Sequence, residues 1–345
     1  MSGRPTIRTV ARAAGVSTST VSQVLRGSGR ISEETRRKVL QAAKTVNYVQ
    51  DRRASAMRSG QSRDIGLLIN KIGNPFNAEV VGGVNESLEE HGYLVYVLDS
   101  HDDPARQERY LHTMIGGGLG GLLWVPAIGT SQDTVDWVMA NSPITVTLLR
   151  QFADQVFDHV GIDSAYGTNL ATKHLIELGH RRIGFLGGEL DGATLDQRIG
   201  GYVTALIGAK CNNPIVRKCD ETKTAAKKAA IDLHREHPDI TGFICNCDVV
   251  AAGATLGFAE LGLEVGKDVS VVGFDDIEDS RLWVPPLTSV AVDPKGIGQQ
   301  LAETFLARKA NIDAPVRTIS LPVRLKTRAS SGPPARGGKS GKSNS

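Results

Sequence analysis

From Asp64 onward, short apolar segments alternate with longer segments of helical periodicity, and this alternation constrains the fold more than any other feature. The apolar segments are DIGLLI, YLVYVLDS, GGLLWVPA, ITVTLL, RIGFLGG, GFICNC and VSVVGFDD. Continuous apolar strands separated by helices predict parallel sheets that are covered on both faces. Because this region is about 260 residues long, we expect two such units with a cleft between them. Ligands of such folds bind at the carboxyl ends of the strands.

A different pattern precedes Asp64, where residues 6–48 predict three short helices. Thr6 is the expected N-cap of the first helix, which ends at Gly15, and Ser17 is the expected N-cap of the second. The third helix is expected to carry an apolar stripe formed by Val39, Leu40, Ala43 and Val46. Two helices joined by a short glycine-containing turn form a helix-turn-helix, which presents its second helix to DNA. Other three-helix bundles share this spacing, so the charge distribution has to decide between them.

The net charge of +3 conceals three regions of different sign. Residues 1–63 hold 13 Lys and Arg against 3 Asp and Glu, residues 326–345 hold 5 basic residues and no acid, and residues 64–325 carry a net charge of −12. A strongly basic head predicts a polyanionic partner, whereas an acidic body is not expected to bind nucleic acid broadly. Together with the helix-turn-helix, this charge favours DNA binding over a merely solvated basic surface.

The head is similar in detail to a known family. The run TIRTVARAAGVSTSTVSQVLRGSGRISEETRRKVLQAAKTVNY resembles the DNA-binding headpiece of the lactose/galactose repressor family, and DRRASAMRSGQS resembles its hinge segment. The resemblance extends to about residue 328, and ASAMRSGQS and QRIGGY resemble the maltose-regulon repressor branch. It implies a small all-α helix-turn-helix headpiece and an α/β two-lobed body similar to periplasmic sugar-binding proteins, with parallel sheets and three crossovers between the lobes.

The resemblance also implies the domain boundaries. These are a headpiece at 1–50, a hinge helix and linker at 51–63, and an effector-binding and dimerisation body at 64–329. The tail at 330–345 is rich in Gly, Ser, Lys and Pro and is therefore expected to be disordered. Within the body, the N-lobe comprises about 64–164 and 293–321, and the C-lobe about 165–292 and 322–329. Because the tail lacks the leucine heptads of a tetramerisation helix, a homodimer is expected.

DNA contacts follow from the resemblance residue by residue. Base-reading positions of the second helix are occupied by Thr18, Ser19 and Gln23, and positions of backbone-phosphate contact by Ser17, Thr20 and Ser22. Thr6 and Arg30 are further candidate contacts. The hinge helix, which is implied to fold on the operator and push an apolar wedge into the minor groove, matches Arg52, Arg53, Ala54 and Met57.

Three positions depart from the family pattern. Most relatives carry Arg where this chain has Gln23, and because Gln pairs with adenine whereas Arg prefers guanine, we expect a different base preference there. Met57 stands where most relatives have Leu at the wedge, as a flexible apolar substitute. Gln50 stands where relatives usually have Pro, which leaves the start of the hinge less rigid.

Matching segments of the body supply candidate effector contacts, namely Asn74, Phe76, Arg150, Arg198, Asp248 and Asp275. Arg and Asp side chains make directional bonds to hydroxyls or carboxylates, as recognition of a small polar molecule requires. Structural roles remain open as alternatives: Asp248 as a helix cap, Phe76 as a core residue, and Arg198 as the ion-pair partner of Asp196 or of a neighbouring acid. Relatives often read Asn-Asp where this chain has Cys247-Asp248, so the effector is expected to differ there.

Several other classes of protein lack support. No apolar run is long enough for a membrane helix, and MSGRPTIRTVARAAG lacks the core of a secretory signal, so a cytoplasmic protein is expected. Four cysteines are too few for a disulfide framework, and Cys245 and Cys247 have no second pair at zinc-like spacing, so they are interpreted as ordinary strand residues without a metal. No cofactor-binding or catalytic motif is present, so an enzyme is not expected.

The leading hypothesis is a transcriptional regulator, most simply a repressor of carbohydrate-utilisation genes. It is expected to bind double-stranded palindromic operator DNA as a homodimer, at the bacterial nucleoid, with its affinity set by a sugar or sugar derivative in the cleft between the lobes. The alternatives are a transport-type sugar-binding protein and a sugar-processing enzyme. The basic head and the absent signal argue against the first, and the missing catalytic motif against the second.

Overall fold

A computed structural model describes residues 5–49, 62–142, 144–188, 192–211 and 213–335. The chain forms two compact units, one up to Ser62 and one from Arg63. The predicted hinge residues Arg52, Arg53, Ala54 and Met57 lie outside the described residues, as does Gln50.

The headpiece contains helices α1 (Ile7–Ala14), α2 (Thr18–Arg26) and α3 (Glu33–Thr45). Local chemistry sets their ends: Thr6, Ser17 and Ser32 each cap a helix by accepting a backbone N–H, and Gly15 ends α1 at a positive φ of 66°. Small apolar side chains fill the core, namely Val10, Ala11, Val21, Val24, Val39, Ala42 and Ala43. The predicted stripe of α3 was wrong at Leu40, which is 50% exposed, because the helix turns Ala42 inward instead.

The body alternates strands and helices as the sequence predicts. Its strands are β1 (Asp64–Ile69), β2 (Leu94–Asp99), β3 (Gly121–Trp124), β4 (Thr145–Leu148), β5 (Asp158–Ile162), β6 (Ile183–Leu186), β7 (Ile215–Arg217), β8 (Gly242–Cys245), β9 (Ser270–Asp275), β10 (Thr288–Ala291), β11 (Thr318–Leu321) and β12 (Arg324–Lys326). Its α-helices are α4 (Pro75–Glu90), α5 (Pro104–Gly116), α6 (Gln132–Asn141), α7 (Ser164–Glu177), α8 (Ala193–Gly208), α9 (Lys223–Glu236), α10 (Asp248–Glu260) and α11 (Pro294–Ala310). A 3₁₀ helix spans Glu278–Arg281.

The strands form two six-stranded sheets, which define the N-lobe and the C-lobe. The N-lobe sheet has the order β11-β5-β4-β3-β1-β2 and is parallel throughout. The C-lobe sheet has the order β12-β10-β9-β8-β6-β7, with β12 antiparallel to β10. The chain passes between the sheets after β5, after β10 and after β11, so the predicted two-lobed α/β body with three crossovers is confirmed.

Close helix pairs hold each lobe together. A Cβ added at Gly83 in α4 would lie 2.1 Å from the Lys295 carbonyl oxygen of α11. One added at Gly201 in α8 would lie 2.0 Å from the Ala165 carbonyl oxygen of α7. Glycine therefore allows these helix backbones to approach more closely than any other residue would permit.

The body extends further along the chain than the predicted boundary at residue 329. Ser330 is buried, its hydroxyl donates to the Val271 carbonyl at 2.6 Å, and it accepts the Thr288 N–H at 2.8 Å. The Gly332 carbonyl accepts a hydrogen bond from the Ser270 hydroxyl at 2.9 Å. Residues 330–332 therefore belong to the folded C-lobe rather than to a disordered tail, because they satisfy polar groups beside β9 and β10.

Candidate functional site: nucleic-acid interface and ligand cleft

The exposed surface of α2 is the candidate nucleic-acid interface. Thr18 and Ser19, the first two residues of the helix, are exposed. The Ser17 hydroxyl accepts the Thr20 N–H at 3.0 Å and lies 2.9 Å from the Thr20 hydroxyl. The cap thus fixes the start of α2 and leaves short polar side chains on its solvent side, where base edges can be approached.

Other predicted contact residues flank this helix start. Ser22 and Gln23 are half-buried, and the Gln23 side chain lies against Gly29, whose added Cβ would be 3.2 Å from Gln23 Oε1. Arg30 is exposed in the following loop. Thr6 forms a reciprocal capping box with Thr9, at 3.2 and 3.4 Å. Its side chain is therefore exposed but already holds the start of α1.

The described headpiece contains two acids, and both are paired with bases on their own helix. Glu34 contacts Lys38 at 2.7 Å, and Glu33 lies 3.6 Å from Arg36. The other described basic residues with assigned exposure are exposed and have no acid partner within residues 5–49, namely Arg8, Arg12, Arg30, Arg37 and Lys44. The headpiece surface is thus positive, as a partner with phosphate groups requires.

The candidate ligand site is a cavity of about 220 Å³ between the lobes, at the carboxyl ends of the strands. Five of the six predicted effector residues line it, namely Asn74, Phe76, Arg150, Arg198 and Asp275. The predicted residues that meet here come from α4, from the loop after β4, from α8 and from the end of β9.

Arg150 on the N-lobe wall is held by an ion pair that the sequence analysis missed. Its guanidinium makes a bidentate pair with Asp102, one bond of 2.8 Å, and donates to the Pro126 carbonyl at 2.8 Å. Burial alone would raise the pKa of Asp102. The pairing with Arg150 outweighs burial, together with hydrogen bonds from Ile128 and Asn70, and holds the pKa of Asp102 below its ordinary value. Arg150 thus presents a fixed, largely neutralised guanidinium to the cavity.

The two other N-lobe candidates also have structural roles. The Asn74 side chain caps α4 by accepting the Phe76 N–H at 3.1 Å. Phe76 is 5% exposed and packs in the main hydrophobic cluster while its remaining surface faces the cavity. For Phe76, the core role left open by the sequence and a place at the cavity are both realised, and Asn74 combines a cap with its place at the cavity.

Arg198 is the central cation of the C-lobe wall. Its guanidinium lies 3.8 Å from the Phe274 ring centre, donates to the Asn246 carbonyl and stands 3.8 Å from the Asp275 carboxylate. Its acidic neighbour is therefore Asp275 rather than Asp196, within the alternatives that the sequence left open. A planar cation fixed by a ring and a carbonyl is well suited to hold a directional polar ligand.

Asp248 is the exception among the six, since it is fully buried and lies outside the set of residues that line the cavity. Its carboxylate accepts the hydroxyls of Ser280 and Ser289, both at 2.6 Å, and the Ile277 N–H at 3.0 Å. It does not cap α10 either, where the N-cap is Cys247. Burial raises the pKa of Asp248 to about 7, against the lowering effect of these hydrogen bonds.

The bonds of Asp248 support a strained turn at the ligand site. Asp275 and Asp276 both have positive φ, 113° and 56°, which is uncommon for residues other than glycine. Ile277, the next residue, is fixed by Asp248, and the Asp276 N–H donates to Ser289 at 3.2 Å. Asp248 is therefore a positioning residue for Asp275. This role explains why an acid stands after Cys247 although Asp248 does not contact the cavity.

Sequence reasoning did not identify several polar residues of the cavity, among them Asn70, Lys71, Asp102, Asp220, Glu221 and Asn246. Asp102 and Asn246 follow the ends of β2 and β8, so the strand-end rule applied to every strand would have found them. Glu221 follows β7, a three-residue strand that the sequence pattern did not reveal. Cys247 was interpreted as a strand residue, but β8 ends at Cys245.

The described residues offer neither a metal-binding cluster nor a membrane-spanning helix. No group of three or more His, Cys, Asp or Glu side chains among them is arranged to hold a metal ion. Within the same residues, no helix has the length and apolar character needed to cross a membrane.

Comparison with known proteins covers both units. The family described as "Bacterial regulatory proteins, lacI family" matches residues 6–51, and the "Periplasmic binding protein-like domain" matches residues 172–331. The maltose regulon regulatory protein MalI of Escherichia coli (strain K12) is 32% identical over 93% of this chain and 97% of its own length. The ribose operon repressor of Haemophilus influenzae is 33% identical over 92% of this chain and 95% of its own. Among solved structures, the lac repressor dimer bound to operator and the anti-inducer ONPF superposes with a TM-score of 0.84, 27% identity, and coverage of 96% of this chain and 100% of that one.

Proposed function

The chain belongs to the lacI family of bacterial regulatory proteins, and from this premise we propose that it represses carbohydrate-utilisation genes by binding a palindromic operator as a homodimer. It is a DNA-binding transcriptional regulator rather than an enzyme, as its repressor relatives are. The observation that carries the DNA-binding role is the capped α2, with exposed short polar side chains, in a positively charged helix-turn-helix. Its place of action is then the cytoplasm, at the nucleoid.

The proposed base contacts are made by Thr18, Ser19 and Gln23 in the major groove. Gln23 is proposed to read adenine, since its amide offers one donor and one acceptor to the adenine edge. Phosphate contacts are assigned to Thr6, Ser17, Thr20, Ser22 and Arg30. A hydroxyl that accepts a backbone N–H, as that of Ser17 does, still has its own proton to donate to a phosphate oxygen. The minor-groove contacts of Arg52, Arg53, Ala54 and Met57 remain part of the proposal.

Dimerisation is proposed because one headpiece reads too few base pairs for specificity, so that two heads are needed on a palindrome. The lac repressor structure to which this chain is similar is a dimer on its operator. The N-lobe offers a suitable surface at β2, the last strand of its sheet, where Leu94 and Tyr96 are 42% and 47% exposed. Apolar side chains on an edge strand favour burial against a partner.

The proposed effector is a small sugar-like molecule in the cavity between the lobes, contacted by Arg198 and Asp275 and flanked by Asn74, Phe76 and Arg150. A cavity of about 220 Å³ is smaller than the sites of drug-sized ligands, roughly 300–1,000 Å³. Because the cavity is formed by both lobes, an effector that binds one arrangement of the lobes better than another shifts the protein toward it. A coupling of about 1–3 kcal/mol would change operator affinity roughly 5–150-fold.

Operator binding by the full chain, measured by fluorescence anisotropy with and without a panel of sugars, tests this function. We expect salt-sensitive binding to a selected palindrome and a change in affinity with at least one sugar. Binding of sugar without any DNA binding would indicate a transport-type protein, and turnover of a sugar would indicate an enzyme. Operator binding that no sugar alters would remove the effector from the proposal.

A further inference from the structure

Two buried polar atoms on the C-lobe wall have no hydrogen-bond partner in the described part of the chain, Arg198 Nε and Asn246 Oδ1. The two residues are only 7% and 5% exposed, and both line the cavity. The orientation of the Asn246 amide follows from its Nδ2, which donates to Glu221 and leaves Oδ1 as an acceptor. Since buried polar groups are almost always satisfied by protein, water or ligand, a ligand that brings an acceptor to Arg198 and a donor to Asn246 would complete both groups.

Carboxylates outnumber cations on the same wall. Among the described cavity residues of the C-lobe, the acids are Asp220, Glu221 and Asp275, and Arg198 is the only Lys or Arg. On the N-lobe wall, Arg150 is paired with Asp102, and Lys71 adds one further positive charge. Only Asp275 among these acids is buried, and Arg198 lies 3.8 Å from it, whereas Glu221 is half-buried and Asp220 is exposed. The C-lobe wall therefore offers more carboxylates than cations to a ligand.

The acidic surroundings also contribute to the pKa values of Asp275 and Cys247. Burial raises the pKa of Asp275 well above its ordinary value, Arg198 opposes this, and the negative charges of Asp248, Glu221 and Glu79 raise it further. Burial also raises the pKa of the Cys247 thiol, with Glu221 and Asp275 adding to the effect. The part of these shifts that comes from neighbouring carboxylates favours a ligand cation at this wall, whereas burial, the larger cause, disfavours a charge of either sign.

We propose that the effector carries a protonated primary amine next to a hydroxyl, as amino sugars do, an inference that rests on the proposed function. An ammonium group has three N–H donors, and the wall offers three acceptors in Asn246 Oδ1 and the carboxylates of Glu221 and Asp275. The neighbouring hydroxyl oxygen accepts the free N–H of Arg198. A neutral sugar satisfies Asn246 and Arg198 as well, but it leaves the excess of carboxylate charge without a cation.

Isothermal titration calorimetry on the full chain tests the proposal with matched probes. Glucosamine, galactosamine and mannosamine are each compared with the parent hexose and with the N-acetyl derivative, which keeps the nitrogen but removes its charge. We expect at least one amine to bind about tenfold or more tightly than both of its neutral counterparts, the worth of one charge-assisted hydrogen bond. Glu221→Gln is expected to reduce that ratio severalfold. Glu264→Gln, which removes the same charge from an exposed side chain, leaves it unchanged.

Three outcomes would overturn the inference: neutral sugars that bind as tightly as the amines, a ratio that Glu221→Gln does not reduce, or no binding of any amino sugar. The proposed function fails separately. If a neutral hexose binds and changes operator affinity, the regulator stands and the amine does not. If the full chain binds no operator, the regulator fails whatever the calorimetry shows.

Discussion

Replacing Asp248 distinguishes a buried positioning residue from an effector contact. In Asp248→Ala, the Ile277 N–H and the hydroxyls of Ser280 and Ser289 lose their acceptor in a fully buried position. Each unsatisfied buried group costs about 1–3 kcal/mol, and rotation of the two hydroxyls relieves part of that cost. The free energy of unfolding is therefore expected to fall by roughly 3–5 kcal/mol. For a unit of this size, that lowers the melting temperature by about 6–15 °C.

The Asp248→Asn variant gives the matched control, because the amide keeps one acceptor for Ile277 and Ser280 and offers donors to Ser289. The folded pKa of Asp248 is raised to about 7 from an ordinary value of 3.8, chiefly by burial. An acid with a raised pKa contributes stability at low pH that is lost as pH rises toward the folded pKa. We therefore expect the melting temperature of Asp248→Asn, relative to that of the wild type, to increase between pH 5 and pH 8.

Thermal unfolding of the full chain, followed by circular dichroism across this pH range, provides the measurement. Sugar binding measured on the same samples provides the second readout, and Asp248→Asn is expected to retain it. If Asp248→Ala left the melting temperature unchanged while sugar binding was abolished in both variants, Asp248 would be an effector contact and the reasoning would be refuted.

Three further predictions concern other parts of the molecule. Gln23→Arg should shift the selected base at its operator position from adenine to guanine by about 1–3 kcal/mol of discrimination, and selection from a randomised operator pool would show this; an unchanged consensus would mean that Gln23 does not read a base. Ser17→Ala should lower the stability of the headpiece by about 1 kcal/mol through loss of the α2 cap, measured by denaturant unfolding, with Ser28→Ala in the following loop as the control; equal effects would argue against the cap. Ending the chain after Ala329 should lower the melting temperature by several degrees, because the polar groups of β9 and β10 lose their hydrogen bonds to Ser330 and Gly332. Ending the chain after Ala335 should leave the melting temperature unchanged. Two equal melting temperatures would contradict the inclusion of residues 330–332 in the body.

Local chemistry explains which elements could be predicted from the sequence. The caps Thr6, Ser17 and Ser32 and the glycine at position 15 act within a few residues, so the helices of the head were predictable. In the body, seven strands lie within the apolar segments that the sequence shows, whereas β5 contains the buried Asp158, whose charge is paired with Arg308 some 150 residues away. The short strands β7, β11 and β12 lie at sheet edges, where an apolar run is not required.

The site was less predictable, because a polar residue at a strand end can face the cavity or turn away from it. Asp275 and Asp248 both follow or end a C-lobe strand, yet only Asp275 lines the cavity. The difference depends on Ser280 and Ser289, which lie far along the chain from Asp248. Glu221 and Asn246 meet only because β7 and β8 flank β6 in the sheet, which is a property of the topology rather than of any local pattern.

In the proposed function, the headpiece recognises a specific operator, and a small molecule bound in the body controls the affinity of that recognition. The most direct measurement is an anisotropy titration of the full chain against a selected palindrome and a scrambled duplex, at rising salt, with and without the sugar that binds the body. We expect at least about a thousandfold preference for the palindrome, a steep fall in affinity as salt rises, and a shift in affinity of roughly 5–150-fold with the sugar. Equal affinity for both duplexes, or tight binding that ignores salt, would contradict the proposed function.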